Sequence, residues 1–335
     1  MCGRPTSSPS DGGLRPPLKL LVTGITGFVG RSLTASLEAD QRDWTVVGAG
    51  RDAGRLAACA ESPVVEAVHA ADLTGEDAVT TLSAAADIGR ADVVVHLAAL
   101  VTSFADDGPR AAELVSANTL GTLRVWRALS ALPEGSRPAR FVLASSVLVY
   151  GWPHATPVGE GAATEPSDNY GLSKLGAEEY SRYMAARLGI ELVVLRLGYV
   201  YGPGDSLGKV VGRFLRQAAE GRDLVVAADP SVFRDYVYID DVVRALRLSS
   251  EPSAVQPGSY NISSGRATRI ADLAGAALRV TGSRASMVEK RAAAGAGAEG
   301  YGCTVMDSSR AAAVFGPWTA LEEGLARMHE GMRRA

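Results

Sequence analysis

Tyr170 and Lys174 stand four residues apart in the segment Asn169-Tyr170-Gly171-Leu172-Ser173-Lys174. On a helix this spacing puts both side chains on one face, one turn apart. The Lys174 ammonium then favours the Tyr170 phenolate electrostatically, which makes the tyrosine a usable general acid or base near neutral pH. A second segment upstream, Thr23-Gly24-Ile25-Thr26-Gly27-Phe28-Val29-Gly30, follows an apolar run and opens a helical pattern. In that context Gly24 permits a tight turn, Gly27 lets backbone approach a pyrophosphate, and Gly30 allows close helix–strand packing. The helix amino terminus offers N–H groups to phosphates, so the whole turn, with Thr26, Phe28 and Val29, is the expected cofactor contact. The two segments together imply a nicotinamide-dependent oxidoreductase.

That chemistry needs elements that bring a turn near residue 27 and a helix near residue 170 to one cleft. Leu18 to Thr23, Thr45 to Ala49, Val64 to Val68, Asp92 to Leu97, Arg140 to Ser145 and Glu191 to Leu197 read as strands. They alternate with helical stretches at Phe28 to Ala39, Ala111 to Leu132 and Ser167 to Leu188, the pattern of a parallel sheet. Val93-Val94-Val95 and Leu192-Val193-Val194-Leu195 are nearly continuous apolar runs, as in strands covered by helices on both faces. The expected fold class is α/β: a Rossmann-type doubly wound parallel sheet with a smaller C-terminal substrate-binding lobe. Residues 1–17 form a tail and residues 18–198 the NAD(P)-binding domain, with returning segments near 234–262. Residues 199–335 form mainly the lobe. The loop Trp152 to Pro166 is expected to fold over the cleft, and Ala292 to Gly302 to be a flexible connection. Every motif falls at or just past a strand's carboxyl end, where open parallel sheets bind ligands.

A formal net charge of −3 is spread over mixed-sign segments with no basic cluster. That argues against a nucleic-acid footprint and against a polybasic membrane patch, so the expected partner is a small molecule. Cys2, Cys59 and Cys303 have neither metal-ligand nor CxxC spacing and are too few for a disulfide framework, so no metal is expected and a reducing compartment fits. Met1 to Pro17, rich in Ser, Pro and Gly, lacks the apolar stretch of a secretion signal, and no later run is long enough to span a membrane. The expectation is a mobile tail on a cytoplasmic protein, or a stretch preceding the true start.

The residue after the second strand decides which dinucleotide is held. A carboxylate there bonds a ribose 2′-hydroxyl, whereas an arginine neutralises a 2′-phosphate. The strand ends Val47-Gly48-Ala49-Gly50-Arg51, with Asp52 adjacent and Arg55 a few residues on. Arg51 and Arg55 favour NADP(H) over NAD(H).

With these residues in view, the chain resembles the extended short-chain dehydrogenase/reductases, within them the NAD-dependent epimerase/dehydratase group that acts on nucleotide sugars. Beyond the glycine turn and the YxxxK segment, the resemblance rests on Ala71-Asp72-Leu73, Val95 to Ala99 and Asn118 to Thr122. It continues through Ser145 to Gly151, Arg196 to Gly204, Arg234 to Asp241, Tyr260-Asn261-Ile262 and the closing Leu321 to Leu325. It implies that Asp72 and Leu73 contact adenine and that Leu97, Ala98, Ala99 and Asn118 lie beside the cofactor. It further implies that Ser146 hydrogen-bonds the reacting oxygen, that Tyr170 exchanges its proton, and that Lys174 holds the nicotinamide ribose and lowers the Tyr170 pKa. Arg234 stands at the family's diphosphate position, and Tyr199, with Ser146, is expected on the substrate side. The helices Ala111 to Leu132 and Ser167 to Leu188 correspond to those that family members pair into a homodimer.

Two departures narrow the reaction. Val147 and Leu148 stand where the 4,6-dehydratases carry an acidic pair, and neither transfers a proton, so dehydration is disfavoured. Tyr199 stands where nucleotide-diphosphate binders often carry Asn. The leading expectation is an NAD(P)-dependent epimerase or ketoreductase working at a carbinol or ketone carbon of a nucleotide sugar. The alternative is an NADPH-dependent ketoreductase on a steroid- or polyketide-like substrate. A non-catalytic cofactor-binding regulator is the third reading, opposed by the intact Ser146, Tyr170 and Lys174 set.

Overall fold

The computed structural model describes residues 17–40, 42–85, 87–101, 108, 110–152, 157–206, 208–226, 232–289 and 304–334. Residues 1–16 of the expected tail, the expected connection 292–302, and residues 153–156 of the loop lie outside the described residues.

The alternation of apolar runs and helical stretches is realised first as β1 (Leu18–Thr23), α1 (Phe28–Glu38), β2 (Trp44–Gly50), α2 (Ala53–Cys59), β3 (Val65–Ala70), α3 (Asp77–Ala84) and β4 (Val93–His96). α4 (Ala111–Leu114) then runs through a π-helical turn, Val115–Leu120, into α5 (Gly121–Ala131), followed by β5 (Arg140–Ser146), α6 (Asn169–Leu188) and β6 (Glu191–Leu197). β7 (Tyr199–Tyr201), α7 (Val210–Ala219), β8 (Leu224–Val226), β9 (Phe233–Arg234), β10 (Tyr236–Tyr238), α8 (Ile239–Ser249) and β11 (Gly258–Ile262) come next. The chain closes with β12 (Thr268–Arg269), α9 (Ile270–Thr281), β13 (Met287–Glu289), α10 (Ser309–Phe315) and α11 (Leu321–Arg334).

Seven strands pair in parallel in the order β11-β6-β5-β4-β1-β2-β3. The chain begins near the middle and winds outward in both directions, so a crevice opens where the order reverses, between the carboxyl ends of β1 and β4. Side chains alternate across the sheet. Leu20 and Val22 join a core with Leu33 and Leu37 of α1 and Val242 and Leu246 of α8. Leu21 joins a second core with Val125, Trp126 and Leu129 of α5 and Met184 of α6. Trp126 stacks on Phe141 with centroids 4.2 Å apart and donates from its indole nitrogen to Ser181 Oγ at 2.9 Å. Truncating such a tryptophan to alanine costs ~3–5 kcal/mol.

The sequence pattern predicts six strands, and the sheet has a seventh, β11. Its Gly-Ser-Tyr-Asn-Ile run is not apolar, yet Tyr260, Asn261 and Ile262 are buried because β11 pairs with β6 and Asn261 hydrogen-bonds inward. The helix predicted in one piece at Ala111 to Leu132 widens into the π turn. There Asn118 and Thr119 bond the segment after β4 and the backbone of α6, and Gly176 of α6 leaves room for Thr119. Past β6, β7 pairs with β10, β9 with β12 and β8 with β13, while α9 packs on α7 and α11. Of this region, β11 returns to the main sheet and α8 packs on α1.

Candidate active site

Glycines shape the turn between β1 and α1. Gly24 has φ +73°, where L side chains are strained, and a Cβ there would stand 2.6 Å from the Ala98 nitrogen. Its own N–H donates to the Ala49 carbonyl at 2.8 Å, joining the ends of β1 and β2. A Cβ on Gly30 would lie 2.5 Å from the Gly24 oxygen, so α1 sits directly against the turn only because that position is glycine. Gly27 precedes α1 with no side-chain cap, the arrangement in which a helix amino terminus serves an anion.

A cleft of about 210 Å³ runs over this turn. Gly24, Thr26 and Gly27 line it from the turn, Arg51 from the end of β2, Asp72 and Leu73 from beyond β3, and Leu97, Ala98 and Ala99 from beyond β4. Three strand ends and the glycine turn thus share one wall. Asp52 caps α2, its Oδ1 accepting from the Arg55 N–H at 3.0 Å. Asp72 Oδ1 accepts from the Thr74 N–H at 3.0 Å and hydroxyl at 2.9 Å. The Thr74 backbone bond leads in holding the Asp72 carboxyl below the usual range, with Arg51 adding to it.

Several residues expected at the cofactor are placed elsewhere. Gly30 packs beneath the turn, Val29 faces the core, and Phe28 and Arg55 line an adjoining groove that shares Thr26 and Gly27 with the cleft. Asn118, at 1% exposure, does not line the cleft. Its Oδ1 accepts from Leu100 N–H at 2.7 Å, and its Nδ2 donates to the Leu100 carbonyl at 3.0 Å and to Ser173 Oγ at 2.9 Å. It ties the segment after β4 to α6.

Ser146 ends β5, where its Oγ accepts from the Leu148 N–H at 3.2 Å. Tyr170 stands in the first turn of α6, hydrogen-bonded by Ser146, and Asp168 caps that helix by accepting from Gly171 N–H at 2.5 Å. Lys174 follows one turn on, 3% exposed. Burial pushes the phenol well above its ordinary value, the Asp168 charge and Tyr199 add to this, and the Ser146 bond opposes it. The sequence predicts that Lys174 brings the phenol toward neutrality. In this site burial is the leading influence on the phenol, because a phenolate removed from water loses its hydration. Burial also lowers Lys174 to about 8, opposed by Glu178. His96, between Thr23 Oγ1 at 2.6 Å and Thr122 Oγ1 at 3.0 Å, is lowered to about 3 by burial and by Lys174. It is neutral near pH 7.

The Arg234 guanidinium lies 4.9 Å from the Tyr199 ring centroid, a cation–π arrangement. Asp235 faces inward, accepting from Ser263 Oγ, Ser264 Oγ, Gly265 N–H and Met306 N–H at 2.7–3.1 Å. Asp240 pairs with Arg327. Sequence reasoning passed over Asp168 and Glu178. The first carried a signal as a capping aspartate, the second as an acid on the same helical face as Tyr170 and Lys174.

A Ser–Tyr–Lys set beside a glycine-turn cleft on a parallel sheet places the chain among enzymes of the extended short-chain dehydrogenase/reductase type. It belongs to the NAD dependent epimerase/dehydratase family, whose model matches residues 20–263. The chain is similar to the dTDP-L-rhamnose 4-epimerase of Burkholderia thailandensis, 31% identical over 299 residues that cover 76% of this chain and 79% of that protein. It is also similar to the GDP-6-deoxy-D-mannose reductase of Pseudomonas aeruginosa, 30% identical over 266 residues covering 76% and 77%. Among solved structures it matches MoeE5 in complex with UDP-glucose and NAD, with a TM-score of 0.76, 29% identity, and 94% and 99% of the two chains covered. NAD(P) dependence and kinship with nucleotide-sugar epimerases and reductases follow. Among the described residues no helix is long and apolar enough to cross a membrane.

Proposed function

We propose that this enzyme is an epimerase or ketoreductase acting at a carbinol or ketone carbon of a nucleotide sugar, with NADP(H) favoured over NAD(H). The observation that carries the reading is Ser146 hydrogen-bonded to Tyr170 with Lys174 one turn on, along a helix that Asn118 ties to Leu100 of the glycine-turn cleft. Ser146 and the Tyr170 hydroxyl hold the substrate oxygen, and Tyr170 gives or takes its proton. Lys174 places a positive charge one helical turn below, where it holds the cofactor ribose. The bound nicotinamide supplies the hydride acceptor or donor. Gly24, Thr26, Gly27, Asp72, Leu73, Leu97, Ala98 and Ala99 form the dinucleotide wall. Arg51 on that wall, with Asp52 engaged as a helix cap, supports selection of a 2′-phosphate. Tyr199 and Arg234 serve the substrate, the guanidinium by meeting its diphosphate. Dehydration is disfavoured, because Val147 and Leu148 stand in the places of the acidic pair and neither side chain can transfer a proton. Exposed Val115, Leu172 and Tyr183 on the π turn and α6 support a homodimer through these helices.

A second reading, reduction of a non-sugar ketone, draws on the apolar cluster of Val147, Leu148, Val158 and Met306, against which Trp152, Tyr170 and Tyr199 pack. One experiment separates the two. The protein is purified without added nucleotide and denatured, and any released cofactor is identified by mass spectrometry. The emptied enzyme is then titrated with NAD(H) and NADP(H) and assayed with UDP-, dTDP- and GDP-sugars. Turnover of a nucleotide sugar, by isomerisation or nicotinamide absorbance change, is expected. If all three classes are inert while an apolar ketone is reduced with NADPH, the second reading replaces the first.

A further inference from the structure

Glu178 continues the stripe on which Tyr170 and Lys174 stand, since steps of four residues carry the three side chains along one face of α6. Its carboxylate is enclosed, at 0% exposure, and four donor groups reach it. Arg196 of β6 donates from Nε to Oε1 at 3.1 Å and from Nη2 to Oε2 at 2.8 Å, a two-pronged match of guanidinium and carboxylate. Ser145 Oγ donates to Oε1 at 2.5 Å and Arg182 Nη2 to Oε2 at 2.5 Å. Ser145 directly precedes Ser146, so this one carboxylate joins the helix bearing Tyr170 and Lys174 to the strand bearing Ser146. Arg196 extends the link, donating from Nη1 to the Tyr150 hydroxyl at 2.9 Å, which donates in turn to Asn261 Oδ1 of β11 at 2.7 Å.

Buried ion pairs are a poor source of stability, because removing both charges from water costs about what their attraction returns. A pair kept beneath a reacting phenol and ammonium therefore points to alignment. We propose that Glu178 is a positioning residue: its carboxylate sets Tyr170 and Lys174 in register with Ser146 and balances the Lys174 charge away from water. The proposal rests on the oxidoreductase reading of that set. Lys174 acts on His96 of β4 and is acted on by Glu178 of its own helix, with Tyr170 one turn before it. His96 and Tyr170 are neutral near pH 7, so among the described residues Glu178 is the acidic group acting on the ammonium.

The test is Glu178→Gln in the full chain with its dinucleotide bound, read as kcat and KM against pH, beside Tyr170→Phe as reference. At pH 7 the expected loss in kcat is about 10- to 100-fold, as for small misplacements of reacting groups, with substrate KM changed less than about threefold. Without the carboxylate Lys174 loses its proton sooner, so the alkaline limb of kcat moves to lower pH by about one unit. Glu178→Asp, which keeps the charge, restores the limb. A purely structural role would lower the melting temperature and leave the limb in place. Should Glu178→Gln alone not fold, the Glu178→Gln, Arg196→Met double variant, which strands no buried cation, carries the same expectation. An unmoved limb with near-wild-type kcat, in a background where Tyr170→Phe is dead, overturns the positioning role and leaves the catalytic reading standing. An active Tyr170→Phe overturns both.

Discussion

Gly24 and Ala98 meet with no space between them: a Cβ on the glycine would stand 2.6 Å from the alanine's backbone nitrogen. The contact brings the first turn of the cofactor site against the segment after β4, and Gly24 also adopts φ +73°. Gly24→Ala is therefore expected to combine backbone strain of about 1–3 kcal/mol with a clash that neither backbone can relieve. The outcome is a lowered melting temperature together with dinucleotide affinity reduced about tenfold or more, measured by thermal unfolding and fluorescence titration.

Tyr170→Phe removes the exchangeable proton and keeps the ring that packs against the cluster of Val147, Leu148, Val158 and Met306. Turnover is expected to fall about 10²- to 10⁴-fold, while cofactor affinity and melting temperature stay near wild type. Single-turnover absorbance of the nicotinamide reads the first, and titration and calorimetry the others.

Arg51 is the cation that the cleft presents beside Asp72. Arg51→Ala should weaken NADPH about 10- to 100-fold, the scale of one charge-assisted hydrogen-bond partner, and leave NADH within about threefold. The ratio of the two dissociation constants checks it. An unchanged ratio would remove Arg51 from any role in the choice of dinucleotide.

Lys174, lowered by burial from 10.5 to about 8, also makes stability depend on pH. Between about 8 and 10.5 the unfolded chain holds the proton more tightly than the folded one, so this group's contribution to stability rises with pH through that window. Below it the buried charge carries its full desolvation cost. The melting temperature of the wild type relative to Lys174→Met is expected to be more favourable at pH 9.5 than at pH 7, and differential scanning calorimetry of the pair reads the difference.

The parts of the site that sequence made legible are local. A spacing of four places Tyr170 and Lys174 on one face whatever surrounds them, and the glycines at 24, 27 and 30 carry their meaning in the strand and helix that flank them. What stayed hidden depends on distant partners. The bonds of Asn118 to Leu100 and Ser173, which tie two distant segments together, have no signal in its local sequence. β11 falls within the returning segments expected near 234–262, but its pairing with β6 across sixty residues of chain is not written in any local pattern. The protonation of the phenol is set by how much water the fold removes, which no spacing encodes.

The late arrival of β11 bears on how the protein is made. β6 ends at Leu197, and its neighbour in the sheet begins only at Gly258. Until that stretch has left the ribosome, β6 presents a row of unpaired N–H and C=O groups along a strand whose Val193, Val194 and Leu195 are apolar, the condition that invites pairing with another chain. A nascent chain paused between these two strands would thus hold an adhesive margin, and the emergence of β11 would be the step that seals it.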